Sequence, residues 1–342
     1  MIWFTWRQFR AQGIVAAAAL AALAITLAIT GPHLAALYNG SGLRTCGTEC
    51  GAQAASFISA VKGGATEVIF YGATFLAYAV PALIGIFWGA PLVTREVEAG
   101  TYRLAWNQSV TRGRWVAAKL GLIGLAAMAT AGLLSLVTRW WASPLYDASR
   151  QTGRNALGIN RLAPLLFGAT GIVPIGYAAF AFALGVYVGV LVRRTLPAMA
   201  ITLAVFAAIQ ILWPGLVRPH LISPVSATHS LRTISFNGFG DHDNGILLLQ
   251  VGSVNGRTAD WITSSTPVNA AGQAISRAPQ ACMSRAIGDN FLQCLTSHGV
   301  RMDIRYQPAS RYWTFQWLES GIFLVLALGL GWVCLWRIRR LG

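Results

Sequence analysis

The chain has 342 residues, 55% of them hydrophobic and 11% charged, with a mean hydropathy of +0.54. Soluble domains carry about a quarter charged residues, so a soluble globular fold is excluded and a membrane protein is expected. The net charge of +15 would suggest nucleic acid for a soluble domain, but here the basic residues are read as topology signals and no nucleic-acid partner is inferred.

In chain order, residues 1–13 mix Ile2, Trp3, Phe4, Trp6 and Phe9 with Arg7, Gln8 and Arg10, a pattern that suits an amphipathic interfacial helix. The apolar run that follows, about 14–37, is too long for a signal peptide and reads as an uncleaved first span. Further runs long enough to cross a bilayer lie at about 68–93, 115–137, 164–192, 196–217 and 317–336. The expected fold class is therefore an all-α polytopic membrane protein with six transmembrane helices. The fourth run contains Gly171, Pro174 and Gly176, which predict a kink whose freed backbone groups need a neighbour.

The divisions that follow are 1–13 for the interfacial helix, 14–217 for spans 1–5, 218–312 for an extracytoplasmic domain, and 313–342 for span 6 with a basic tail. Of the 26 basic residues, twelve fall in short segments of one side: Arg7, Arg10, Arg95, Arg103, Arg112, Arg114, Lys119, Arg193, Arg194, Arg337, Arg339 and Arg340. The positive-inside rule then puts both termini and the loop 94–119 in the cytoplasm. Cys46 and Cys50, and Cys282 and Cys294, all fall on the other side, where two local disulfides are preferred over free thiols or a zinc site.

The outer segments 38–66 and 139–163 are rich in Gly, Ser, Asn and Arg, with Trp140, Trp141 and Tyr146 placed as a membrane-edge aromatic belt. Within 218–312, Leu231–Phe236 and Ile246–Val251 read as strands of a hairpin around Asp243-Asn244-Gly245. Met283, Ile287, Phe291, Leu292 and Leu295 read as a helix, so a small α+β domain is expected. Asp241-His242-Asp243 reads as a solvated turn, and His220, His229 and His298 show no ligand spacing.

Ion-coupled carriers place charged residues inside their helices, whereas Glu67 and Glu319 read as helix-end residues. No phosphate-binding loop, His-Glu-x-x-His or Gly-x-Ser-x-Gly occurs. The chain is expected to be no enzyme and to bind no cofactor. A six-span protein without an engine of its own is a pore, a scaffold, or one half of a machine driven by another subunit.

The third possibility needs a cytoplasmic docking element, and the polar loop 94–119 supplies one. Arg95, Glu96, Glu98, Arg103, Arg112 and Arg114 offer both signs of charge, Tyr102, Leu104 and Trp106 offer anchors, and Gly100-Thr101 can end one helix and cap the next. The run Arg95-Glu-Val-Glu-Ala-Gly-Thr101, then Arg103-Leu104, Val110-Thr-Arg-Gly-Arg-Trp115 and Lys119-Leu120 resembles the first cytoplasmic loop of type-2 ABC exporter permeases. The stretch from Tyr306 to Glu319 resembles the segment leading into the last helix in their actinobacterial branch.

The resemblance implies that the loop docks on a separate ABC ATPase subunit carrying ATP and magnesium. It also implies that a second permease copy, identical or different, completes a path lined by the second and fifth helices, in a bacterial plasma membrane. The expected function is export of a hydrophobic or amphiphilic substrate. The alternative is a non-transporting membrane anchor or sensor whose extracytoplasmic domain binds a ligand or partner.

Overall fold

A computed structural model describes residues 2–46, 50–98, 112–151, 161–242, 246–254, 260–283 and 289–340. Six of its helices are long and apolar enough to cross a membrane, with spans at Phe9–Gly40, Ala65–Arg95, Ala117–Trp141, Val173–Val192, Thr195–Leu216 and Ala309–Arg337. All six overlap the apolar runs of the sequence. The stretch 1–13 does not form a separate helix, because α1 runs unbroken from Ile2 to Gly40. Nothing at that boundary stops a helix: Gly13 costs propensity only.

The second span is composite. Helix α3 (Ala65–Ile84) passes through a π-helical turn at Gly85–Gly89 into α4 (Pro91–Glu98). The third span is α5 (Arg112–Trp141). The Gly-, Ser-, Asn- and Arg-rich outer segments carry two short helices, α2 (Gly51–Val61) and α6 (Ser143–Gln151). They are held by a buried apolar cluster that includes Leu43, Phe57, Ile58, Val61, Trp141, Leu145 and Tyr146. Of the three residues assigned to an aromatic belt, only Trp140 is exposed; Trp141 and Tyr146 are buried. Trp141 Nε1 donates to Thr30 Oγ1 at 3.0 Å, giving its one polar group a partner inside the bundle.

The fourth run does not form a kinked helix. It divides into α7 (Pro164–Phe167), a turn containing Gly171 at φ +75°, and α8 (Val173–Val192). Pro174 therefore sits in the first turn of α8, where its missing N–H costs no intrahelical bond. Helix α8 is apolar on every side, as a central helix is, and most of its residues are buried.

Small residues let the backbone of the second span approach it. A Cβ at Gly85 would lie 2.8 Å from Ala181 O, and one at Gly189 would lie 2.7 Å from Ala90 O. Gly85-x3-Gly89 and Gly185-x3-Gly189 are thus two facing small-residue pairs, the usual device for close helix packing where lipid removes the hydrophobic drive. The π turn falls at this contact.

Helix α9 (Thr195–Leu216) completes the fifth span, and α12 (Tyr312–Arg340) forms the sixth. Between them lies the β region. Strands β1 (Val225–Ser230), β4 (Trp261–Val268) and β5 (Arg301–Gln307) form an antiparallel sheet in the order β1-β5-β4. Strands β2 (Ile234–His242) and β3 (Ile246–Val254) form the expected hairpin, with His242 opposite Ile246. The first strand of the hairpin starts at Ile234 rather than Leu231, because Leu231–Thr233 is a 3-10 turn, and the tip Asp243-Asn244-Gly245 lies outside the described residues.

Helices α10 (Gln280–Met283) and α11 (Asp289–Ser297) cover the sheet, and Leu231, Leu295, Met302 and Ile304 belong to its buried core. Disulfides Cys46–Cys50 and Cys282–Cys294 are both formed, and Cys334 is a buried free thiol. The side chains of Cys282, Cys294 and His298 cluster within 4.8 Å, but the disulfide withholds both sulfurs from a metal.

Candidate functional site: the two ends of the fifth span

The expected docking loop divides into a described root and an undescribed tip. Gly100, Thr101, Tyr102, Arg103, Leu104 and Trp106 lie outside the described residues, as do the side chains of Glu96, Arg112 and Arg114. At the root, α4 carries the second span to its end, and Arg95 and Glu98 are exposed on it. Lys119, grouped with the loop's basic residues, is only 3% exposed, so it belongs to the bundle.

Glu98 is committed inside the chain. Its Oε1 accepts the Thr195 N–H at 2.8 Å and its Oε2 accepts the Thr195 hydroxyl at 2.6 Å. Thr195 opens α9 directly after the two-residue turn Arg193–Arg194, so the carboxylate occupies the positive end of that helix. The Thr195 side-chain bond, then its backbone bond, hold the Glu98 carboxyl below its ordinary value, with Arg194 adding to the effect. Buried Thr94 lies one turn earlier, with its hydroxyl 2.8 Å from that of Thr195. The root of the loop is thereby fastened to the first turn of the fifth span through two side chains.

The other end of α9 carries a feature that the sequence alone did not reveal. Arg218, in the 3-10 turn after α9, and Glu319, near the start of α12, are both fully buried. Arg218 Nε donates to Glu319 Oε2 at 2.8 Å and Nη2 donates to Oε1 at 2.9 Å, the bidentate arrangement that a guanidinium is shaped for. Arg218 also donates to Pro164 O at 3.1 Å and to Tyr177 Oη at 3.3 Å, and its guanidinium lies 4.5 Å over the Phe167 ring. Tyr177 donates to Glu319, and Tyr78 donates to Pro164 O.

Burial alone would lower the Arg218 pKa. The hydrogen bonds and charge of Glu319 outweigh it and raise the pKa, so the guanidinium stays charged. This ion pair thus joins α3, α7, α8, the end of α9 and α12. In the sequence, Arg218 stands as the first outer residue and Glu319 as a helix-end residue. The available signal was a lone cation and a lone anion, each flanking an apolar span, which a membrane interior tolerates only as partners.

Beside this pair, Gln316 repairs the break between α7 and α8. Its Oε1 accepts the Ile172 and Val173 N–H groups at 2.9 and 3.1 Å. Its Nε2 donates to Phe167 O and Thr170 O at 3.3 and 3.1 Å. All four hydrogen-bonding positions of one amide are used on non-helical backbone, which is what such backbone requires at membrane depth.

Neither end presents a nucleophile beside a base or a set of free metal donors among the described residues. What the geometry provides is mechanical. The loop root is pinned to one end of α9, and the other end of α9 is pinned to the sixth span beneath the β region. A family model described as ABC-2 membrane transporter related matches residues 17–218, more than half of the chain, and its match stops at Arg218. No curated protein and no solved structure matches the chain.

Proposed function

The chain belongs to the ABC-2 membrane transporter related family, and from that premise we propose that it is the permease subunit of an ATP-driven exporter. The membrane part is supplied by this chain, and ATP with magnesium is bound by a separate ABC ATPase subunit docked on residues 94–119. The chain sits in a bacterial plasma membrane with both termini and that loop in the cytoplasm, consistent with its concentrated basic residues and with both disulfides lying away from the loop. A second permease copy, identical or different, completes the path, and the second and fifth spans line it.

The observation that carries the coupling reading is the attachment of the loop root to α9 through Glu98 and Thr195. A push on the loop is delivered to the fifth span rather than absorbed by a slack connection. The cargo is hydrophobic or amphiphilic, as suits spans whose Arg218–Glu319 ion pair is buried and internally satisfied. The competing reading is an anchor or sensor built on the β region, which has its own core and disulfide.

Affinity purification of the tagged chain from its native membranes separates the two. An ATP-binding cassette subunit is expected to co-purify with the wild type and to be lost from the Glu96→Ala, Arg103→Ala double variant, which leaves the Glu98–Thr195 contact in place. Unchanged recovery of that subunit by the variant would remove the docking reading.

A further inference from the structure

A groove of about 550 Å³ runs along the membrane face of the bundle between α1, α3 with its π turn, and α5. On α1 it extends from Ala11 to Leu23, about 18 Å of helix. Its walls are apolar, with Leu20, Leu83, Phe87 and Leu134 among them. Among the described residues, two of its three polar lining residues are already engaged within the chain. Gln12 donates to Phe87 O at 3.0 Å, and Thr130 donates to Ala126 O at 2.8 Å. The third is Arg95, which closes one end of the groove and is exposed there.

The wall on the α1 side is thinly packed, since few residues of the first span are buried. Exposed Val15 and Phe87 flank the opening, so the groove opens outward from the bundle rather than into its interior. Arg10, just before the groove on α1, is also exposed and adds positive charge at the same end.

We propose that this groove is a binding site for an anionic phospholipid, with an acyl chain along α1 and the phosphate against Arg95. A lipid tail gains little by leaving the bilayer for an apolar wall, so the tail fills the groove without conferring preference. Preference comes from the headgroup, because a guanidinium at the headgroup level pairs with phosphate and adds to the attraction that basic residues exert on an anionic leaflet. The site depends on the chain being a membrane protein and not on its being an exporter.

The test uses the full chain in phosphatidylcholine nanodiscs doped with a tail-diazirine probe of either phosphatidylglycerol or phosphatidylcholine. Photolabelled peptides are then mapped. Peptides covering 11–23 and 76–88 should take phosphatidylglycerol over phosphatidylcholine by about fivefold, the factor that one basic side chain supplies at an anionic surface. Peptides of α12 around the exposed Val325, Leu328 and Trp332 serve as the lipid-facing control and should show no preference. Arg95→Gln should bring the ratio to parity while Arg95→Lys retains most of it, and Ala19→Trp should lower labelling of the groove by both probes. Equal labelling of the wild-type groove by the two probes, or a preference that survives Arg95→Gln, would overturn the proposal.

Discussion

Removing Arg218 would leave the buried Glu319 carboxylate without compensation, and the loss of one member of such a hydrogen-bonded ion pair typically costs about 3–5 kcal/mol. Arg218→Ala is therefore expected to lower the thermal unfolding temperature in detergent by far more than any surface arginine substitution. Arg218→Leu combined with Glu319→Leu should recover part of that loss, because no charge then remains buried. A double variant no better than Arg218→Ala would mean the pair does not act as a unit.

Glu98 is the opposite case, an exposed carboxylate whose value is positional. Its folded pKa lies below the ordinary 4.5, so its contribution is present above that value and is lost as pH falls through the depressed one. The stability difference between wild type and Glu98→Gln should be flat from neutral pH down to the ordinary carboxylate range and should vanish in stronger acid. A difference that grows on acidification would contradict the Thr195 bonds as the source of the shift.

At the scale of elements, the contact between α8 and the second span decides the packing. A side chain at Gly185 would meet the backbone of Gly85, with Ala90 N 2.8 Å from its Cβ. Backbone cannot yield as a side-chain tip can, so Gly185→Leu should exceed the usual overpacking cost of about 1–3 kcal/mol. Gly321→Leu meets open space and should be nearly silent. Comparative yield and unfolding temperature of the two variants read the difference.

The six spans are legible in the sequence because about twenty consecutive apolar residues have few other destinations, and the hairpin is legible from two short strand-like runs around an Asn-Gly step. The break at Gly171 is not, since the same residues predict a kink. Its repair depends on Gln316, 144 residues from Ile172, and no local pattern announces a partner at that range. Helices α2 and α6 are hidden for a similar reason: their residues are largely small or polar, and only the tertiary cluster around Tyr146 and Phe57 makes helix the better state.

For the molecule as a whole, the relevant property is that α9 is held at both ends. Glu98 and Thr94 hold the end at the loop root, and Arg218 with Glu319 holds the end beneath the β region. The charges of the loop are enough to locate it in the sequence, but they suggest that its acidic residues serve only a partner. The Glu98 carboxylate instead turns back onto its own chain, a contact invisible without knowing that the Arg193–Arg194 turn lies beside the loop root. The ion pair escapes sequence reading because each of its members, taken separately, is the boundary of its own apolar run.

The claim that residues 94–119 meet an ATP-driven subunit is tested most directly by genetically encoding a photocrosslinking amino acid at Leu104 in cells and irradiating them. An adduct with an ATP-binding cassette protein is expected there, and it should be absent when the same amino acid replaces Leu328 of α12. An adduct with no such protein at Leu104, while the chain is expressed and folded, would contradict it.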